Sequence, residues 1–129
     1  MNSLIVENKQ NSPLVNFNAE TGVLQIVGRS IPEHPVKFYQ PLEDWLDDFL
    51  KTNPTSVKLH IFLDYLNTHS TECILLLLKK TKSFLVNHPT SNVLVEWLYE
   101  EDDEDMEDLG KDLKSITVLP FQFEKIIEE

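Results

Sequence analysis

Three hydroxyl side chains, Thr68, Ser70 and Thr71, crowd the run Asn67-Thr68-His69-Ser70-Thr71-Glu72, between the apolar Phe62–Leu66 and the apolar Cys73–Leu78. A hydroxyl where a strand gives way to a helix has two uses. It caps the helix by accepting an otherwise unpaired backbone N–H, or it accepts a phosphoryl group. The second use suits the place, because free N–H groups and the helix dipole both favour negative charge there. A phosphate adds roughly −1.5 to −2 charges and three acceptor oxygens. One cap needs only one hydroxyl, however. Glu72 follows His69 by three residues, not a Ser or Thr, so the run is not a capping box. On these residues alone, capping and modification both stand.

Other candidates are less pointed. Glu96, Glu100, Glu101, Asp102, Asp103, Glu104, Asp105, Glu107 and Asp108 form an acidic run, with no Lys or Arg between Lys82 and Lys111. It lacks the alternating ligands and central glycine of a calcium loop. It reads as a solvated loop leading into a short helix, or as a docking surface for a basic partner in which Asp102, Asp103 and Asp105 make contact. Leu75 and Leu76 lie outside the expected core stripe of their helix, toward Lys79, and offer an apolar contact surface beside Thr68. Cys73 sits among apolar residues, a poor place for a thiolate. His34, His60, His69 and His88 show neither metal spacing nor a neighbouring nucleophile. Three glycines make no phosphate-cradling loop. Arg29, in Gly28-Arg29-Ser30-Ile31-Pro32-Glu33, reads as an ordinary surface arginine, with reach to the Thr68 loop as the alternative. No metal, cofactor or catalytic residue is expected.

The composition sets bounds on partners. At 129 residues, 41% hydrophobic and 26% charged, the chain suits one soluble globular domain spanning residues 1–129. A net charge of −11 disfavours nucleic acid and anionic membrane. A single cysteine allows no internal disulfide, and the opening MNSLIVENKQ lacks a basic-then-apolar leader, so a cytoplasmic location is expected.

The elements that must hold these residues follow from periodicity. Leu4–Val6, Leu14–Phe17 and Val23–Val27 read as strands, with Gly22 supplying a turn and Gly28 ending the third. The stretch RSIPEHPVKFY reads as irregular. Pro41 suits the first position of a helix carrying Leu42, Trp45, Leu46, Phe49 and Leu50 on one stripe, stopped by Asn53 and Pro54. A strand over Val57–Tyr65 follows, at least partly covered on both faces because Phe62 and Leu66 point opposite to its main apolar set. A helix from about Ser70 to Val86 carries Ile74, Leu77, Leu78, Thr81 and Leu85 inward. Asn92–Tyr99 is a strand, Leu109–Leu113 a short helix, and TVLPFQFEKII an edge strand that tolerates Pro120. Strands first, then strand–helix alternation, predict an α/β fold: one mixed β-sheet packed against helices, with right-handed crossovers between parallel strands in the later half.

The runs GRSIPEHPVKFYQPLEDWLDDFL, LDYLNTHSTECILLLL and VLVEWLYEEDDEDMEDLGKDLKSITVLPFQF together resemble the SiaC-family regulatory phosphoproteins, over about Leu4 to Ile126. These are small bacterial domains with a STAS-like character, akin to anti-sigma-factor antagonists. The resemblance implies a non-enzymatic partner switch. A serine/threonine kinase phosphorylates a hydroxyl in the strand-to-helix loop, and a metal-dependent protein phosphatase removes the group. The unmodified form binds and activates a diguanylate cyclase of the GGDEF type, raising cyclic di-GMP and favouring aggregation or biofilm. The family loop resembles Asn-Thr-Ser-Ser-Ser-Lys. Here Asn67, Thr68 and Ser70 match, while His69 and Thr71 replace serines and Glu72 replaces lysine. The resemblance makes Thr68 the expected phosphoacceptor and Ser70 the second choice. Two other functions compete: an anti-sigma-factor antagonist that binds an anti-sigma kinase, and a small-ligand or metal sensor built on the acidic run.

Overall fold

The computed structural model describes residues 1–127. Alternation organises its sheet. In β4 (Ser56–Leu66), Val57, Leu59, Ile61 and Leu63 are buried while the residues between them are not, the period of two expected of a strand with one face inward. Around it stand β1 (Leu4–Val6), β2 (Leu14–Phe17), β3 (Val23–Ser30), β5 (Asn92–Glu100) and β6 (Phe121–Ile126). Spatial order equals chain order. The β1–β2 and β2–β3 pairs are antiparallel, and the β3–β4, β4–β5 and β5–β6 pairs are parallel. Parallel neighbours need crossovers, and α1 (Pro35–Lys51), α2 (Thr68–Asn87) and α3 (Glu104–Thr117) supply them. The mixed α/β sheet expected from the sequence is therefore present.

The core lies between one face of the sheet and the three helices. Val15, Phe17, Leu24, Ile26, Leu59, Ile61, Val95 and Trp97 meet Tyr39, Leu42 and Leu46 of α1, Ile74, Leu77 and Leu78 of α2, and Met106 and Leu113 of α3. Each large side chain removed from water here contributes about 2 kcal/mol. On the other face Leu14, Val27 and Phe62 are half-buried and outside this cluster. Helices thus cover one face only; the partial covering expected on the second face of β4 is seen at half-buried Phe62, whereas Leu66, beyond the register shift, packs against the core instead.

The first helix begins six residues earlier than expected. Pro35, not Pro41, takes the N-terminal position, the first turn closes with Phe38 N–H donating to His34 O, and Pro41 lies inside. The apolar stripe explains why the helix carries through a proline: Tyr39, Leu42, Leu46 and Phe49 are all buried on one side. The stop is as expected, with Asn53 in the left-handed region at φ 56°.

Gly28 does not end β3. The strand continues to Ser30 through a register shift between Gly28 and Arg29, with Gly28 at φ 124°, a conformation that favours glycine. α3 extends well beyond Leu109–Leu113 in both directions, because Asp103 starts it inside the acidic run. β6 is the expected edge strand, but it begins one residue after Pro120, whose carbonyl accepts the Val95 N–H at 2.9 Å while no N–H is asked of the proline.

Candidate functional site

In a parallel arrangement every strand-to-helix connection emerges at the carboxyl ends of the strands. The β4–α2 connection carries the hydroxyl run, and the β5–α3 connection carries the acidic run. Both therefore emerge at one edge of the sheet although some thirty residues of chain separate them. The end of β4 and the acidic segment share a cleft of about 340 Å³, lined by Asp64, Tyr65 and Leu66 on one side and by Asp103, Asp105, Met106 and Leu109 on the other.

The hydroxyls do not cap α2. Asn67 does so, its Oδ1 accepting the N–H of Ser70 at 2.9 Å. Asparagine is among the preferred capping residues, so its place just before the hydroxyl run was the available signal. Thr71 Oγ1 donates to the Asn67 carbonyl at 2.9 Å. Ser70 is fully buried and its hydroxyl has no hydrogen-bond partner, which puts the alternative phosphoacceptor beyond a kinase's reach in this conformation. Thr68 is exposed on the first residue of the helix, and His69 beside it is exposed as well.

At 3.6 residues per turn, Thr68, Glu72, Leu76 and Lys79 share one exposed stripe of α2. Leu76 is 42% exposed, whereas Leu75 packs against the core. The two leucines expected to act together are thus divided: one holds the helix down and the other faces outward. Burial, then the carboxylates of Glu43 and Glu72, push the Cys73 thiol up, which keeps it protonated.

In the acidic segment Asp103 is structural, its side chain accepting the N–H of Met106 at 3.0 Å to cap α3. Asp102 and Asp105 are exposed. The Glu107 carboxylate accepts the Tyr99 hydroxyl at 3.1 Å. Among the described residues no group of three or more His, Cys, Asp or Glu side chains is placed to hold a metal ion. No helix among them is long and apolar enough to cross a membrane.

Arg29 lies over the ring of Tyr65, its guanidinium carbon 5.7 Å from the ring centroid. The strand extension past Gly28 makes this possible, since Arg29 then pairs with Tyr65, and Ser30 with Leu66. Under the same turn Ser30 Oγ and Tyr39 Oη are 2.6 Å apart, both fully buried. Neither pair was legible in the sequence. The bulge that aligns Arg29 has only Gly28 as its trace, and Tyr39 fell in a stretch read as irregular.

Comparison with known proteins agrees with this geometry. The model of the family described as SiaC family regulatory phosphoprotein matches residues 6–126. The uncharacterized protein PA14_02130 of Pseudomonas aeruginosa (strain UCBPP-PA14) is 24% identical over 121 residues, covering 94% of each chain. SiaC of Pseudomonas aeruginosa superposes with a TM-score of 0.87 at 22% identity, covering 98% of this chain and 100% of the other. A chain in the crystal structure of diguanylate cyclase SiaD in complex with its activator SiaC, also from Pseudomonas aeruginosa, superposes with a TM-score of 0.87 at 23% identity, covering 95% and 99%. With its hydroxyl loop and acidic run on one sheet edge and a family match over nearly its whole length, the chain belongs to the SiaC family of regulatory phosphoproteins.

Proposed function

We propose that this protein is a non-enzymatic, cytoplasmic partner switch, one SiaC-like domain across residues 1–129, whose unmodified form binds and activates a diguanylate cyclase of the GGDEF type. A serine/threonine kinase transfers a phosphoryl group to the Thr68 hydroxyl, and a metal-dependent phosphatase hydrolyses it. The switch controls cyclic di-GMP and, through it, aggregation or biofilm. One observation carries the reading: within the hydroxyl run Thr68 alone matches the family loop and is also exposed, at the head of a stripe that continues through Glu72, Leu76 and Lys79. A dianion there changes the charge a partner meets without touching the core. The solved assembly of SiaD with its activator SiaC supports the choice of partner class.

Purification of the tagged protein from its native cell, followed by a cyclic di-GMP synthesis assay on the recovered cyclase, tests this. The unmodified protein should raise synthesis, and Thr68→Asp should lower both binding and activation. Kinase labelling should appear on the wild type and vanish in Thr68→Ala. Recovery of an anti-sigma kinase in place of a cyclase, or full labelling of Thr68→Ala, overturns the reading.

A further inference from the structure

We propose that the open edge of β6, with the lysine-lined cleft beside it, is a docking site for an extended acidic segment of a partner protein, which joins the sheet as a further strand. This surface is separate from the hydroxyl loop. It stands where the C-terminal end of α3 leads into the amino end of β6, whereas Thr68 follows the carboxyl end of β4.

The ladder fixes which backbone groups of β6 are free. Among the described residues β6 pairs with β5 alone. Val95 N–H donates to the Pro120 carbonyl and Glu101 N–H to the Ile126 carbonyl, both at 2.9 Å. Successive residues of a strand turn their N–H and C=O groups to opposite sides, so Gln122 and Glu124 also bond to β5. Phe121, Phe123 and Lys125 turn theirs outward. Such an edge is a template for another strand. The opposite edge is blunted by its length, since β1 spans only Leu4–Val6. β6 spans Phe121–Ile126, pairs without a register shift, and has its proline before it rather than within it.

The side chains beside this edge choose the charge of the partner. Phe121, Phe123 and Lys125 stand on the helix side of β6, in register with Val95, Trp97 and Tyr99. Against that side lies a cleft of about 510 Å³, lined by Lys111, Lys114, Ser115, Val118, Leu119 and Phe123. At 3.6 residues per turn Lys111, Lys114 and Val118 share one flank of α3, and Asp105, Asp108 and Asp112 turn away from it. Glu107, one turn before Lys111, is engaged: its carboxylate accepts the Tyr99 hydroxyl at 3.1 Å and lies 3.6 Å from Lys111 Nζ. Lys114 makes no ion pair among the described residues and rests over the Phe123 ring, 5.9 Å from its centroid. Lys125 makes none either. In a chain of net charge −11, a cleft bordered by uncompensated cations selects a partner of the opposite sign.

Val118 gives the cleft an apolar rim. It is 69% exposed and sits at φ 55°, a region that β-branched residues seldom adopt. Two bonds hold it there, its N–H donating to the Lys114 carbonyl at 2.8 Å and its carbonyl accepting Lys82 Nζ at 3.2 Å.

An added strand places every second side chain on the helix side, over Phe123 and beside Lys111 and Lys114. Carboxylates at those alternate positions meet the lysines while the backbone takes up the outward groups of Phe121, Phe123 and Lys125. A second copy of this chain fits poorly. Antiparallel pairing of β6 with β6 about a two-fold axis keeps both sets of helices on one side, which brings the lysines of the two copies together.

The test titrates the full chain with a short blocked peptide that alternates glutamate with valine, and follows amide hydrogen exchange by NMR. Exchange at Phe121, Phe123 and Lys125 should slow by at least about tenfold at saturation, while Gln122 and Glu124, already bonded to β5, keep their rates. The same peptide with lysine in place of glutamate should have no effect. Lys114→Glu should weaken binding by about tenfold. Lys125→Pro, which removes an outward N–H and leaves the bonds to β5 in place, should abolish it. Unchanged exchange at about 1 mM peptide, equal slowing by the lysine peptide, or wild-type affinity in Lys114→Glu overturns the proposal. So does slowing at these amides in the chain alone as its concentration rises, which would give the edge to a second copy. Neither Thr68 nor a cyclase enters these readouts, so failure here leaves the partner switch standing.

Discussion

The side-chain oxygen of Asn67 lies 2.9 Å from the backbone nitrogen of Ser70, and this bond sets where α2 begins. It frees Thr68 from capping, so the exposed hydroxyl serves no structural purpose that phosphorylation would destroy. Asn67→Ala should lower stability by about 1 kcal/mol, whereas Asn67→Ser should retain most of it. Urea denaturation with an unchanged slope checks both, and an Ala variant with the wild-type midpoint would show the cap to be idle.

Ser70 points to the opposite change. Its buried hydroxyl lacks a partner, and a polar group taken from water without compensation costs about 1–3 kcal/mol. Ser70→Ala should therefore leave stability unchanged or raise it by up to about 1 kcal/mol, which is a few degrees in Tm for a chain of this length. Calorimetry decides, and a clear loss would mean that the hydroxyl is bonded after all.

Gly110 is where α3 touches the sheet. A Cβ built there would overlap the Trp97 indole and come within 2.9 Å of the Phe123 ring. The indole cannot easily withdraw, because its N–H donates to the Met106 carbonyl at 2.9 Å. Gly110→Ala should cost roughly 1–3 kcal/mol as overpacking and shift tryptophan emission. A variant with wild-type stability and spectrum would mean that α3 is free to move outward.

The sequence was most informative where periodicity was long. The alternation in β4 was legible because many residues repeat the same preference, and the stop at Asn53-Pro54 because two strong helix breakers coincide. Legibility ended where one residue decides. Pro41 signals a helix start locally, yet burial of Tyr39 on the preceding turn overrides it. Gly28 reads as a terminator, yet its positive φ carries β3 two residues further and sets Arg29 on Tyr65. In the hydroxyl run residue types gave the chemistry, but only packing separates exposed Thr68 from buried Ser70. The meeting of the acidic run with the Thr68 connection is a property of parallel topology and has no local signature.

Tyr39 gives the fold an alkaline limit. Burial raises its pKa well above the ordinary value of 10.0, and the hydrogen bond with Ser30 offsets this only in part. The unfolded chain loses the phenol proton near pH 10 while the folded chain keeps it, so above that pH the unfolded state binds fewer protons and stability falls with rising pH. The contribution is fully present below about pH 10 and is lost progressively toward the raised folded value. Tyr39→Phe should be less stable at neutral pH, having orphaned the Ser30 hydroxyl, but should show a shallower decline above pH 10. Urea midpoints at pH 8 and pH 11 compare the slopes, and parallel declines would assign the alkaline limit to other groups.

Asp102 and Asp105 make the last case, because exposure separates them from Asp103. If the acidic edge steers a basic surface of the recovered cyclase, association should slow about tenfold between 50 mM and 500 mM salt, since the Debye length falls below the separation over which steering acts. Asp102→Asn with Asp105→Asn should reduce the association rate at low salt and flatten its salt dependence, while leaving stability alone. Asp103→Ala should instead lower stability by about 1 kcal/mol, through the lost bond to Met106 N–H. Stopped-flow association and urea denaturation on the same variants separate the two roles. A wild-type rate indifferent to salt would leave Asp102 and Asp105 as a solvated surface, and recognition would then fall to the Thr68–Leu76 stripe and Tyr65.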